Sequence, residues 1–222
     1  MHRFEPIADA RPDDVPWPEM AWPVDPGVRP MGRVVALSLV DLGRDGADLF
    51  AALDHAQVWE HTAARPHTAE EYVEQLGRSQ ALGRVPWVVR LRVEVGGLPA
   101  GSVVGTSSYL DVSVVDARLE IGSTAYAPAV WGSTVNPETK LLLMTHAFEA
   151  LNVGRVQLKT DVRNVRSQQA IARLGATYEG TLRRYQRRTD GSVRDTVMFS
   201  VTAEEWPGVK QGLEKRLDNA PH

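Results

Sequence analysis

Residues 155–162, RVQLKTDV, alternate apolar and polar positions as a strand with one buried face does. The runs RVVALSLVDL (33–42), PWVVRLRVEV (86–95), GSVVGTSSYLDVSV (101–114) and RLEIGSTAYA (118–127) read as further strands, two of them joined by the turn GGLPAG. Near the C-terminus TYEGTLRRYQRR and SVRDTVMFSVT flank TDGS, which predicts a hairpin. Residues 44–54 predict a short helix. A second helix over 68–83 opens on Thr68 with Glu71 three positions later, the pattern of a capping box. PETKLLLMTHAFEAL (137–151) is apolar nearly all round, as a buried helix is. After 155–162 comes a short helix that Asn164 caps and Gly175 terminates. The order is strand, two helices, three strands, helix, strand, helix, two strands. That order predicts an α/β fold, a mixed sheet with helices on its faces.

The first 30 residues do not fit this rhythm. They hold seven of the 14 prolines, so they predict an extended arm, with one folded domain over 31–222. Trp17 and Trp22 lie within the arm, and side chains that large are expected to dock.

Composition narrows the function classes. Hydrophobic content of 43% and charged content of 24% are those of a soluble globular protein. No apolar run approaches the roughly 18 residues that span a bilayer, so no membrane role is expected. The acidic, apolar-poor start is unlike a secretory signal, and zero cysteines exclude disulfides and thiolate metal sites. The histidines His55, His61 and His67 have no metal-ligand spacing, so no metal is expected. A cytoplasmic protein is the simplest reading. The net charge of −3 argues against nucleic-acid binding. Yet residues 155–194 carry ten Lys/Arg against three Asp/Glu, leaving 15 against 25 elsewhere. Such a patch can steer a polyanionic small molecule or be a solvated face.

The candidate chemistry sits at two helix starts. A pyrophosphate needs backbone N–H donors and a positive dipole end. WGSTVNPETK offers them, with Asn136 as N-cap, Pro137 at the first helical position, and the amides of Ser133, Thr134, Val135 and Asn136 as cradle. The residues LEIG, KLLLMTHAFE, RVQLKTDVRNVRSQQAIARLGATYEGTLR and DGSVRDTVMFSV, in this element order, resemble the GNAT acyl-CoA N-acetyltransferase superfamily, in its RimJ/RimL-like branch. The resemblance covers residues 33–205. It implies a V-shaped split between two central strands where acetyl-CoA lies, and an amine acceptor. Asn164 and Ser167 match positions that contact bound CoA, with Arg163 or Arg166 adding charge. The loop departs from the family pattern Gln/Arg-x-x-Gly-x-Gly/Ala, whose landmarks are here Trp131, Thr134 and Asn136.

Attack on a thioester needs an uncharged amine, which a carboxylate base can supply. Glu120 matches the strand position where the family often carries that base, and alternation puts Glu120, Gly122, Thr124 and Tyr126 on one face. A structural ion pair with a strand arginine is the other reading of Glu120. The tyrosine acid common in the family falls at Ile171, which has no proton to donate, so Ser167, Tyr126 or water must serve. Ser107, Ser108 and Tyr109 are expected to line the acceptor side, His146 to be a core or boundary residue, and Arg194 and Asp195 to tie the last hairpin. The arm is expected on the domain surface near the acceptor entrance or across a second subunit, which is compatible with a homodimer. A non-catalytic acyl-CoA-binding module is the alternative, motivated by the altered loop and the missing tyrosine.

Overall fold

The computed structural model describes residues 5–9, 17–61, 65–188 and 190–219. Seven strands form one open sheet in the order β1-β2-β3-β4-β5-β7-β6. They are β1 Val35–Leu39, β2 Val85–Leu91, β3 Val103–Ser113, β4 Arg118–Tyr126, β5 Arg155–Asp161, β6 Thr177–Arg187 and β7 Val193–Thr202. All neighbours are antiparallel except β4 and β5. The helices are α1 Leu42–Leu53, α2 Ala69–Ala81, α3 Val135–Thr145, α4 Val165–Ala172 and α5 Trp206–Asp218.

Alternation along β2 divides the core. Val88 packs with Leu49, Leu53, Tyr72 and Leu76 of α1 and α2 on one face. Trp87 and Val89 join Leu143 and Met144 of α3 and Leu213 of α5 in the cluster on the other. Helices therefore cover both faces, as expected. At α2 the Thr68 hydroxyl accepts the Glu71 amide at 3.2 Å, but Glu71 reaches the amide of His67, one residue before the cap. Gly175 follows α4 at φ +91°.

Two boundaries differ from the sequence pattern. Helix α3 starts at Val135 with Thr134 as N-cap, so Asn136 is inside the helix and not its cap. Pro137 is tolerated there because the first turn's N–H groups have no intrahelical acceptor. Helix α5 lies beyond the last predicted element; its stripe Trp206, Val209, Leu213 and Leu217 packs on α3 and β7.

Of the arm, residues 5–9 and 17–30 are described, whereas 1–4 and 10–16 lie outside the described residues. The Trp17 indole donates to Asn152 O at 3.0 Å, Ala21 N donates to Leu151 O at 2.9 Å, and Met20 and Val24 are buried. This docking is beside the start of β5, not beside the mouth of the cleft described below. Removing residues 1–30 is therefore expected to cost about 2–3 kcal/mol of apolar burial and lower the melting temperature. An unchanged melt would make the arm a passive leader.

Candidate functional site

Strands β4 and β5 pair only through Arg118–Arg155, Leu119–Val156 and Glu120–Gln157. Beyond these, β4 runs on to Tyr126 and β5 to Asp161, each still paired on its outer edge, to β3 and β7. The inner edges diverge into the V-shaped split. Backbone groups along an open inner edge are unsatisfied unless water or a ligand meets them, so the gap suits an extended molecule with amide groups.

The arms of the V lead to the two helix starts. From β4 the chain passes a short turn over Pro128–Val130 to residues 131–134 and α3; from β5 it turns into α4. Across the mouth the Arg166 guanidinium stacks 3.7 Å from the centre of the Trp131 ring. A cavity of about 310 Å³ opens there, its lining including Trp131, Arg163, Asn164 and Arg166 together with the acidic Glu60. The amides of the 133–136 cradle are not equivalent. Ser133 N donates to Val130 O and Val135 N to the Ser133 hydroxyl, while the amides of Thr134 and Asn136 have no partner among the described residues.

Asn164 caps α4, its side-chain oxygen accepting the Ser167 amide at 3.0 Å. The cap leaves the Asn164 amide group free to donate. The turn that presents Asn164 is held by a residue the sequence pattern did not single out. Buried Asp161 accepts the Arg163 amide at 2.9 Å and a two-pronged contact from Arg188 at 2.5 and 2.8 Å. The Arg188 hydrogen bonds hold its carboxyl down at about 2. The hairpin between β6 and β7 is thereby tied to the turn that presents Asn164. Asp195 adds to the hairpin by accepting the Arg184 amide.

Glu120 sits at the vertex of the V, 4% exposed. A Cβ at Gly122 would stand 2.4 Å from Glu120 Oε1, so the lack of a side chain there makes room for the carboxylate. The Lys159 ammonium on β5 lies 2.7 Å from Oε2 and 2.9 Å from Asp111, off the line of a proper hydrogen bond to Glu120. Burial pushes the Glu120 carboxyl above its ordinary value; Lys159 offsets part of this and Asp111 adds to it. An ion pair with a strand cation is thus present, from a lysine and not an arginine, beside a carboxylate of heightened basicity.

The expectation that Glu120, Gly122, Thr124 and Tyr126 share a face fails. Between Thr106 and Ser108 β3 advances two residues while β4 uses three, Ala125 to Gly122, and Ser123 takes φ +44°. This bulge turns Thr124 and Tyr126 to the α3 side, where Thr124 meets Ser107, and leaves Glu120 and Gly122 facing away. The Tyr126 hydroxyl is buried without a hydrogen-bond partner, and burial raises the phenol well above its ordinary value. Ser107, Ser108 and Tyr109 are fully buried and do not line an acceptor surface. The Tyr109 hydroxyl instead donates to Leu143 O and stands 3.1 Å from His146 Nδ1. Among the described residues no cluster has the make-up of a metal site, and no helix is long and apolar enough to cross a membrane.

The model of the acetyltransferase (GNAT) domain matches residues 37–177, from β1 through α4 to the start of β6. The chain belongs to the GNAT acetyltransferase family. Family relatives agree. The chain is 29% identical over 106 residues to the uncharacterized N-acetyltransferase p20 of Bacillus licheniformis, covering 48% of this chain but only 58% of that protein. It is 28% identical over 157 residues to YdaF of Bacillus subtilis, a candidate ribosomal N-acetyltransferase, covering 68% of this chain and 80% of that one. The solved structure of a candidate acetyltransferase from T. thermophilus superposes with a TM-score of 0.76 at 38% identity, over 89% of this chain and all of that one. The RimJ/RimL-like resemblance read from residues 33–205 is consistent with these GNAT relatives.

Proposed function

We propose that this protein transfers the acetyl group of acetyl-CoA to a primary amine by direct attack, with Glu120 as the base. The observation that carries the reading is the V between β4 and β5. It has open backbone edges along its arms, a buried carboxylate at its vertex and two helix starts at its mouth. Ser133, Thr134, Val135 and Asn136 would receive the pyrophosphate at the start of α3, with Arg166 adding positive charge. Asn164 and Ser167 would meet the pantetheine where β5 turns into α4. Glu120 would take the proton of the attacking amine, a protein N-terminus or a small-molecule amine. The domain over 31–222, without the arm, would carry all of these groups. A cytoplasmic setting, without nucleic-acid or membrane partners, fits the cysteine-free composition and the charge.

Two measurements test this. Calorimetry is expected to show acetyl-CoA binding that weakens in Asn164→Ala; a wild-type protein that binds no CoA would remove the reading. A panel of amines should then elicit acceptor-dependent release of free thiol from acetyl-CoA. Binding without any such release would favour the non-catalytic acyl-CoA-binding module, which the non-glycine loop and Ile171 still support.

A further inference from the structure

Lys140 is unexplained by anything above. It lies in α3, 4% exposed, with its ammonium 2.6 Å from the Thr124 hydroxyl and 3.0 Å from the Ser107 hydroxyl. Those two oxygens are themselves 2.8 Å apart. Among the described residues no carboxylate pairs with it. On its own helix Glu138 is turned to the amides at the start of β1. From β3 the neighbouring titratable group is Tyr109, committed to Leu143 O and His146. From β4 come neutral Tyr126 and Glu120, whose charge reaches Lys140 only through space and is met by Lys159 of β5. A buried amine without a counter-ion is costly, and an apolar side chain of similar volume would not be.

Thr124, whose hydroxyl Lys140 holds on the α3 side, belongs to the arm of β4 that bounds the split. Thr124 is half-buried on the β4 arm, beyond the last pair with β5. On α4 Ile171, the position where the family resemblance puts the tyrosine acid, is a buried hydrocarbon with no proton to donate.

We propose that Lys140, acting through the Thr124 hydroxyl, supplies the proton taken up by the sulfur of the departing thiol. The inference rests on the acetyl-transfer reading above. As the carbonyl carbon–sulfur bond breaks, the sulfur takes the Thr124 hydroxyl proton and Thr124 Oγ1 takes one from Lys140 Nζ. Lys140 is left as a neutral amine and regains its proton from solvent between turnovers. The proton released by the attacking amine goes to Glu120 and then to solvent, so amine and thioester become amide and thiol in balance. Burial lowers the Lys140 ammonium to about 7, whereas an alkyl thiol titrates at about 8.5, so the transfer runs downhill. An ordinary lysine, at about 10.4, would hold its proton too tightly. Lys140 is a positioning residue here; Thr124 is the group that touches the sulfur.

The test compares wild type with Lys140→Met, Thr124→Val and Thr124→Ser, using acetyl-CoA and an amine that wild type accepts. Lys140→Met should lower kcat by about 100-fold with KM for acetyl-CoA unchanged, without lowering the melting temperature. Wild-type kcat should fall as pH rises through the Lys140 value, and this alkaline limb should be absent in Lys140→Met. Thr124→Ser, which keeps a hydroxyl, should retain most of kcat and Thr124→Val should not. An active wild type with an equally active Lys140→Met, or a persisting alkaline limb in that variant, overturns the proton route alone. A kcat loss matched by a loss of stability, in Lys140→Met and Thr124→Val together, makes the cluster structural and also overturns it. A wild type that binds acetyl-CoA but transfers to no amine overturns both this route and the reading beneath it.

Discussion

Replacing Glu120 by Gln is expected to lower turnover by about a hundredfold or more, with acetyl-CoA affinity nearly unchanged. Gln keeps the shape of the side chain and removes its basicity, and a positioned base is worth about 10²–10⁴ in rate. The need is real because a lysine or N-terminal amine is largely protonated near neutral pH. Affinity is spared because the residues that would hold CoA are at the mouth of the V and Glu120 is at its vertex. Burial raises the Glu120 pKa, so its carboxylate is protonated, and the wild-type rate lost, at a pH where an exposed glutamate is still ionised. The acid limb of kcat/KM should lie above the ordinary glutamate value of about 4.3 and vanish in Glu120→Gln. The sign for stability is opposite to that of a salt-bridged carboxylate with a depressed pKa. A raised folded-state pKa makes this group's contribution largest below its unfolded value and diminishes it as pH rises through the folded one. Glu120→Gln should therefore not lower the melting temperature at neutral pH, especially as Lys159 keeps Asp111. Parallel losses of activity and stability would instead assign Glu120 to the ion pair with Lys159.

Glu138→Ala is expected to cost about 3–5 kcal/mol of folding stability. Its carboxylate accepts the amides of Arg33, Val34 and Val35 at 2.7, 2.7 and 2.6 Å. These amides open an edge strand, and the carboxylate fastens it to α3. Removal strands three amide donors, one buried and two half-buried, and each buried orphan costs about 1–3 kcal/mol. Typical substitutions cost about 1 kcal/mol, so the effect should stand clear of background. Gln should recover only part, since one of its ends presents N–H to N–H. Urea melts should show a lower midpoint at an unchanged slope. The folded fraction should still bind acetyl-CoA, because Glu138 faces β1 and not the mouth. An unchanged midpoint for Glu138→Ala would remove the fastening role.

Local rules in the sequence determined the elements that depend on neighbours along the chain. Thr68 capping α2, Asn164 capping α4, Gly175 ending it and the turn at Gly191 and Ser192 closing the last hairpin all follow from backbone groups within a few residues. The alternation of RVQLKTDV placed β5, and the order of elements gave a mixed sheet with helices on its faces. The stripe of α5 was present in the sequence too, spaced three and four residues apart, but among mostly polar neighbours. What required the third dimension was anything set by a partner far along the chain. The apolar reading of residues 137–151 could not show that Glu138 and Lys140, two positions apart on α3, are buried toward different targets, β1 amides and β3–β4 hydroxyls. Period-two alternation could not foresee Ser123, because a bulge is decided by the register of two strands and not by one. Its one extra residue moves Thr124 and Tyr126 to the α3 side and leaves Glu120 alone at the vertex. Asp161 likewise gains its meaning only when the hairpin folds back and delivers Arg188 to it, 27 residues away.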